Sequence, residues 1–284
     1  MKIVRIFALF GATLLGGCSF IIDTQTSNAA DQLSATILNH DDPATVSAAI
    51  PTLLILMDSY ARGEKSSGNA KLSAAKLYGA YAGAFVEDTG RRKTLTSTAF
   101  RYAKSGSCKK DFTWCGLDRF DKDMFAAFVE NLDKNQIDII YAYAVAWLSY
   151  IEAHSDDWNA VADLPKPKQM FTFVIDQDES YDNAGAHLYL AALALTIPPA
   201  LGGKPEIGKQ HFERAIELTD GRNLLTKVEY ARRYARLVFD KELHHQLLVD
   251  VLASDPKKEG LTLMNIWAQQ QAQTLLDDES DYFD

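Results

Sequence analysis

From Asp42 onward, apolar positions recur every three to four residues, and no stretch sustains the strict alternation of a strand. The pattern predicts helices throughout. Pro43 suits a helix start, and Pro51 predicts a break or kink ahead of Leu53-Leu54-Ile55-Leu56-Met57. A second helix is expected over 71–87, with Ala74, Tyr78, Tyr81 and Phe85 on one stripe. Ala75, Gly79, Ala82 and Val86 form a smaller-residue stripe against which a neighbouring helix could lie closely. A third helix is expected over 94–103. The helix expected over 135–153 has two apolar faces, one of Ile137, Ile140, Ala144, Leu148 and Ile151, the other of Tyr143, Trp147, Tyr150 and His154. Such a helix should be buried on both sides. Tyr143, Trp147 and Tyr150 are therefore either core rings or the wall of a ligand channel, because these side chains join apolar area to a polar tip.

The C-terminal half is punctuated more sharply. A helix over 187–196 should stop at Pro198-Pro199, Gly202-Gly203 should turn, and Pro205-Glu206 should open the next helix. Thr219-Asp220-Gly221 should end it, with Leu224, Val228, Ala231, Ala235 and Val238 striping its successor. A short helix over 241–252 should break at Asp255-Pro256, and Leu261, Met264, Ala268, Ala272 and Leu275 stripe the last. Short connections imply antiparallel neighbours. Gly208, Phe212 and Ala215 have the spacing of the second helix of a tetratricopeptide repeat, although no 34-residue repetition is legible. The expected fold is all-α: one domain over 41–284, built of antiparallel helical hairpins with degenerate TPR-like repeats.

Residues 1–17 read as a signal peptide: Lys2 and Arg5, then an apolar run from Ile6 to Leu15, which is half of the roughly 20 residues a spanning helix needs. Leu15-Gly16-Gly17-Cys18 looks like a bacterial lipobox, making Cys18 the expected site of lipid attachment, with an incidental cysteine after a plain signal as the alternative. No other segment is apolar over 18 residues, so no further span is expected. Ser19 points to the outer membrane, and 18–40 to an acylated N-terminus and tether. Cys108 and Cys115 bracket CKKDFTWC and are a disulfide candidate, with free thiols, a zinc half-site or a redox pair as alternatives.

The net charge of −9 excludes nucleic acid as the main partner, since Arg91-Arg92-Lys93 and Lys109-Lys110 are too short for a phosphate footprint. Gly202-Gly203-Lys204-Pro205 fails as a phosphate loop. Asp176, Asp178 and Ser180 fail as a calcium loop, because Tyr181 stands where glycine is required. His244 and His245 are adjacent, which on a helix points them to different sides, so they read as surface or capping residues, and His211 lacks a second ligand in register. No G-x-S-x-G is present. The expectation is no enzyme, no cofactor and no metal. The acidic-aromatic end, 277–284, reads as a solvated tail or a partner-docking peptide.

One segment is distinctive: Pro199-Ala200-Leu201-Gly202-Gly203-Lys204-Pro205-Glu206, followed by His211-Phe212-Glu213-Arg214-Ala215. Together with Tyr230-Ala231-Arg232-Arg233-Tyr234-Ala235, Leu252-Ala253-Ser254-Asp255-Pro256 and Tyr81-Ala82-Gly83-Ala84-Phe85, it resembles the T-component (TatT) family of tripartite ATP-independent periplasmic transporters. The resemblance implies an all-helical lipoprotein anchored through acylated Cys18 and facing the periplasm. It implies association with a periplasmic solute-binding protein, a homotrimer with a pore through each protomer, and passage of an organic acid or hydrophobic ligand. A TPR-like envelope scaffold without a ligand is the competing expectation.

Overall fold

A computed structural model describes residues 32–196 and 203–283. Cys18, the signal segment and the turn through Pro198-Pro199 and Gly202 lie outside the described residues. Among those described, helices make the fold and no strand occurs. A short helix α1 (32–38) precedes α2 (Pro43–Ala61), α3 (Gly68–Phe85), α4 (Thr89–Lys110), α5 (Lys122–Glu130) and α6 (Ile137–Ala153). There follow α7 (Trp158–Ala162), α8 (Pro165–Gln177), α9 (Tyr181–Ala194), α10 (Pro205–Leu218), α11 (Leu224–Glu229), α12 (Lys241–Ala253), α13 (Thr262–Asp277) and α14 (Glu279–Phe283).

The acidic composition is partly spent on helix starts. Asp42, Asp88, Asp121, Asp157 and Asp240 each accept a hydrogen bond from a backbone N–H in the first turn of α2, α4, α5, α7 and α12. Each cap is worth about 1 kcal/mol. Helix α2 runs through Pro51 without the expected break. Ring and missing N–H cost one internal bond, but Val46, Ile50 and Leu54 are buried on both sides of the proline, and that packing holds the helix together. Helix α2 is also long and apolar enough to cross a membrane, with 22% of its apolar window buried. Helix α4 is longer than the expected 94–103 and carries Cys108 in its last turn.

The helices pack in a cycle. Helix α2 lies on α3, α3 on α4, α4 on α6, α6 on α8, α8 on α9, α9 on α10, α10 on α11 and α11 on α13. Helix α13 then returns to α2. Polar contacts close the ring: Gly260 N donates to Asn39 Oδ1 at 2.8 Å, and Lys257 pairs with Asp41 at 3.2 Å. Two apolar cores fill it. The larger centres on α6, with Ile140, Tyr143, Trp147, Leu148 and Ile151 among its fully buried side chains. The smaller gathers Phe212, Leu224, Val228, Leu248, Val251 and Ala272 from α10 to α13. Its polar pin is Asn265, fully buried, which accepts from Leu224 N and donates to the carbonyls of Arg222 and Pro256.

Close approaches occur at glycines other than Gly79, around which nothing lies within 4 Å. A Cβ on Gly208 would stand 2.8 Å from Leu195 Cγ, so α10 comes close to the end of α9 there. A Cβ on Gly185 would stand 2.1 Å from Tyr141 Oη. Just before it, Asp182, Asn183 and Ala184 take left-handed φ values of 51°, 55° and 60°, a turn in which alanine is strained and Asp and Asn are tolerated. Beyond α11 the chain continues as a π turn, Tyr230–Ala235.

The acidic end departs from the expected tail. Helix α14 docks: Phe283 is buried against Phe239 and His244, and Asp278 pairs with Arg236 at 3.0 Å. Adjacent His244 and His245 both reach one carboxylate, Glu279, at 2.8 and 3.0 Å, because Glu279 sits above the gap between their directions. His244 is wholly buried, not a surface residue. Burial disfavours its charge and lowers its pKa against the pull of Glu279. Burial works against the Glu279 carboxylate too, but the two histidines outweigh it and hold its pKa below the usual range.

Two outcomes follow. Gly185→Ala should destabilise the fold by about 1–3 kcal/mol through overpacking, and a Tyr141→Phe background should recover part of this in denaturant titrations. Both His244 and Glu279 have depressed folded pKa values, so the unfolded chain takes up protons first and stability falls as the pH is lowered. The histidine share is lost below about 6.5 and the carboxylate share below about 4.5. Thermal melts across this range should show the loss, and Glu279→Gln should lower stability at pH 7 by about 1–3 kcal/mol while flattening the low-pH limb.

Candidate functional site

The aromatic face of α6 is a closed layer. Tyr143 and Trp147 are each 1% exposed. Phe100 of α4 stacks on Trp147 at 5.4 Å and meets Tyr143 edge-on at 5.7 Å. Trp114 packs on Tyr143 and Phe125 of α5 on Trp147. These rings from three other segments fill the space a channel would need, so the structure places Tyr143 and Trp147 in the core and corrects the channel expectation for them. Tyr150 is half-buried, between Phe100 at 5.3 Å and His154 at 4.2 Å.

Cys108 and Cys115 are bonded, with Cα atoms 4.6 Å apart. The bridge ties the end of α4 to the 3-10 turn Phe112–Trp114 and so helps seat Trp114 in the core. Beside it opens a groove of about 530 Å³ lined by Trp114, Phe120, Phe128, Asp111 and Gln136 among others.

The polar residues that α6 does not spend on its core lie where the two cores meet. Glu152, at the end of α6, is open to water, yet surrounding protein raises its carboxyl pKa by burial. Arg233 pulls that pKa back, Glu229 pushes it up, and Arg92 pulls from α4. Across from it, Glu229 binds Arg232 at 2.5 Å and Arg233 at 2.6 Å on the π turn. Burial opposes the Arg233 charge, but Glu229 and Glu152 more than compensate. Glu152 itself forms no ion pair among the described residues.

The same seam continues into tyrosines and histidines. Tyr141 of α6 meets Tyr181 and Tyr189 edge-on, and Phe171 of α8 stacks on Tyr189 at 4.8 Å. Burial raises the pKa of Tyr141 and of Tyr189, with Asp182 adding to each. His187 and His211 face one another, Nδ1 to Nδ1 at 2.8 Å. His187 Nε2 lies 3.3 Å from Glu179, off the line of a hydrogen bond, while Arg214 grips Glu179 through two nitrogens. Burial pushes His211 down to about 4, with His187 and Lys168 adding. Among the described residues no three His, Cys, Asp or Glu side chains stand together as a metal site. Local spacing in the sequence marks none of this seam, since its residues are scattered over α4, α6, α8, α9, α10, α11 and the π turn. The one signal was the pairing of Arg232 and Arg233 inside the family-like segment.

The chain has no match among curated proteins. A family model described as the TRAP transporter T-component aligns with residues 39–283, which spans nearly all of the helical ring, and the chain therefore belongs to the TRAP transporter T-component family.

Proposed function

We propose that the protein is an envelope lipoprotein, acylated at Cys18, that faces the periplasm from the outer membrane and serves a TRAP transporter beside its solute-binding subunit. In this reading it also passes a small organic or hydrophobic ligand along the seam between its two cores. Family membership makes it an accessory transport component. What supports the ligand step is the charged cluster of Glu152, Arg233 and Glu229 on the seam, where Glu152 has no ion pair among the described residues. The sequence of 1–18 supports export and anchoring, and the resemblance extends to a homotrimer.

Affinity purification of the full-length protein from membranes of its own host tests the partnership. Recovery of the solute-binding subunit supports it, and its absence after mild crosslinking overturns it. Two variants separate passage from packing. Glu152→Gln removes a charge that has no ion pair, so stability should change by no more than about 0.5 kcal/mol while uptake of the transported solute changes several-fold. Trp147→Ala empties a closed core and should cost about 3–5 kcal/mol. Unchanged uptake in Glu152→Gln would leave a ligand-free scaffold as the better account.

A further inference from the structure

In a chain of charge −9, one cleft is lined by four cations. It has a volume of about 390 Å³ and gathers Arg62, Lys71, Arg101 and Lys109 around Tyr102, with Glu64 as its one carboxylate. The cause is a backbone approach. A Cβ on Gly106 would lie 3.0 Å from Gly68 O, so α3 and α4 almost touch there. Lys71, one turn along α3, is thereby pressed against the stretch of α4 that carries Arg101 and Lys109.

The charges in this cleft are poorly compensated. Lys71 is only 6% exposed, and its Nζ donates to the Ala61 carbonyl at 2.7 Å, with no carboxylate in reach. A buried ammonium without an anion is costly. Burial lowers its pKa, and Lys109 and Arg101 lower it further. Arg101 lies over the Tyr102 ring at 4.8 Å and makes no hydrogen bond or ion pair among the described residues. Lys109 reaches the backbone carbonyl of Glu64 rather than a carboxylate. The nearby Asp58 is already taken, by Arg62 at 2.5 Å and by Tyr102 at 2.6 Å.

We propose that this cleft binds a phosphate-type oxyanion held by Lys71, Arg101 and Lys109. The donors come from two helices, Lys71 from α3 and Arg101 and Lys109 from α4, and line one cleft together. Three cations against one carboxylate call for a dianion, and a planar monocarboxylate would leave charge unmatched. The phosphate can be free or can belong to a lipid headgroup. The second source is raised by α2, whose Ile55, Leu56 and Tyr60 are 74%, 48% and 63% exposed just before Arg62. The proposal is independent of the seam and of ligand passage.

Full-length protein in neutral maltoside micelles provides the test. Inorganic phosphate is titrated calorimetrically, and separate micelles are doped with phosphatidylglycerol or phosphatidylcholine. Saturable binding of phosphate or phosphatidylglycerol is expected, weakening with salt and dropping at least tenfold in the double variant Arg101→Gln/Lys109→Gln. Both positions are exposed, so its melting temperature should stay unchanged. Lys71→Met should also abolish binding without loss of stability. Phosphate binding alone assigns a free oxyanion, and phosphatidylglycerol binding alone assigns a headgroup. No binding of either, equal binding of phosphatidylcholine, or full binding by the double variant overturns the proposal.

Discussion

The burial of α6 on both faces is the constraint on which the arrangement depends. A helix that satisfies its own backbone can be surrounded completely, and α6 uses that freedom: α3, α4 and α8 all pack against it. The rings of Tyr143 and Trp147 fix where α4, the disulfide turn and α5 must lie, and Ile140 and Ile151 seat the opposite side. Once α6 is enclosed, Tyr141 and Glu152 are the polar residues it contributes to the seam. The larger core therefore determines where the interior of the ring is polar.

Helical class, most helix boundaries and the close approach at Gly208 were legible because they are local: a proline, a capping aspartate or a small residue acts within one or two turns. The family relation was legible in the run from Pro199 to Ala215 for the same reason. What depended on distant partners was not. Pro51 looked like a break or a kink, because nothing nearby shows that Val46 and Leu54 are both anchored. His244 looked surface-bound, because Glu279 lies 35 residues on. The aromatic face of α6 was ambiguous for a physical reason: a tyrosine or tryptophan stripe has the same spacing whether it meets rings or a ligand. Only the arrival of Phe100, Trp114 and Phe125 decides between them.

The seam shows how an acidic chain distributes its charge. Many aspartates are committed to helix starts, where they cap backbone N–H groups. Cations gather in two places, Arg232 and Arg233 on the π turn and Arg62, Lys71, Arg101 and Lys109 in the cleft beside Gly106. The first is balanced by Glu229 and Glu152, and the second is not. Net charge says little about either, because each field is set by the few groups that packing forces together.

Helix α13 reaches back to α2 across more than 200 residues, as the Asn39–Gly260 contact records, whereas the other links of the cycle join helices much nearer in sequence. Hairpins can therefore form one after another as the polypeptide emerges from a ribosome or a translocation channel, but the clasp cannot. The ring closes only after α13 is free, so a partly delivered chain is an open spiral.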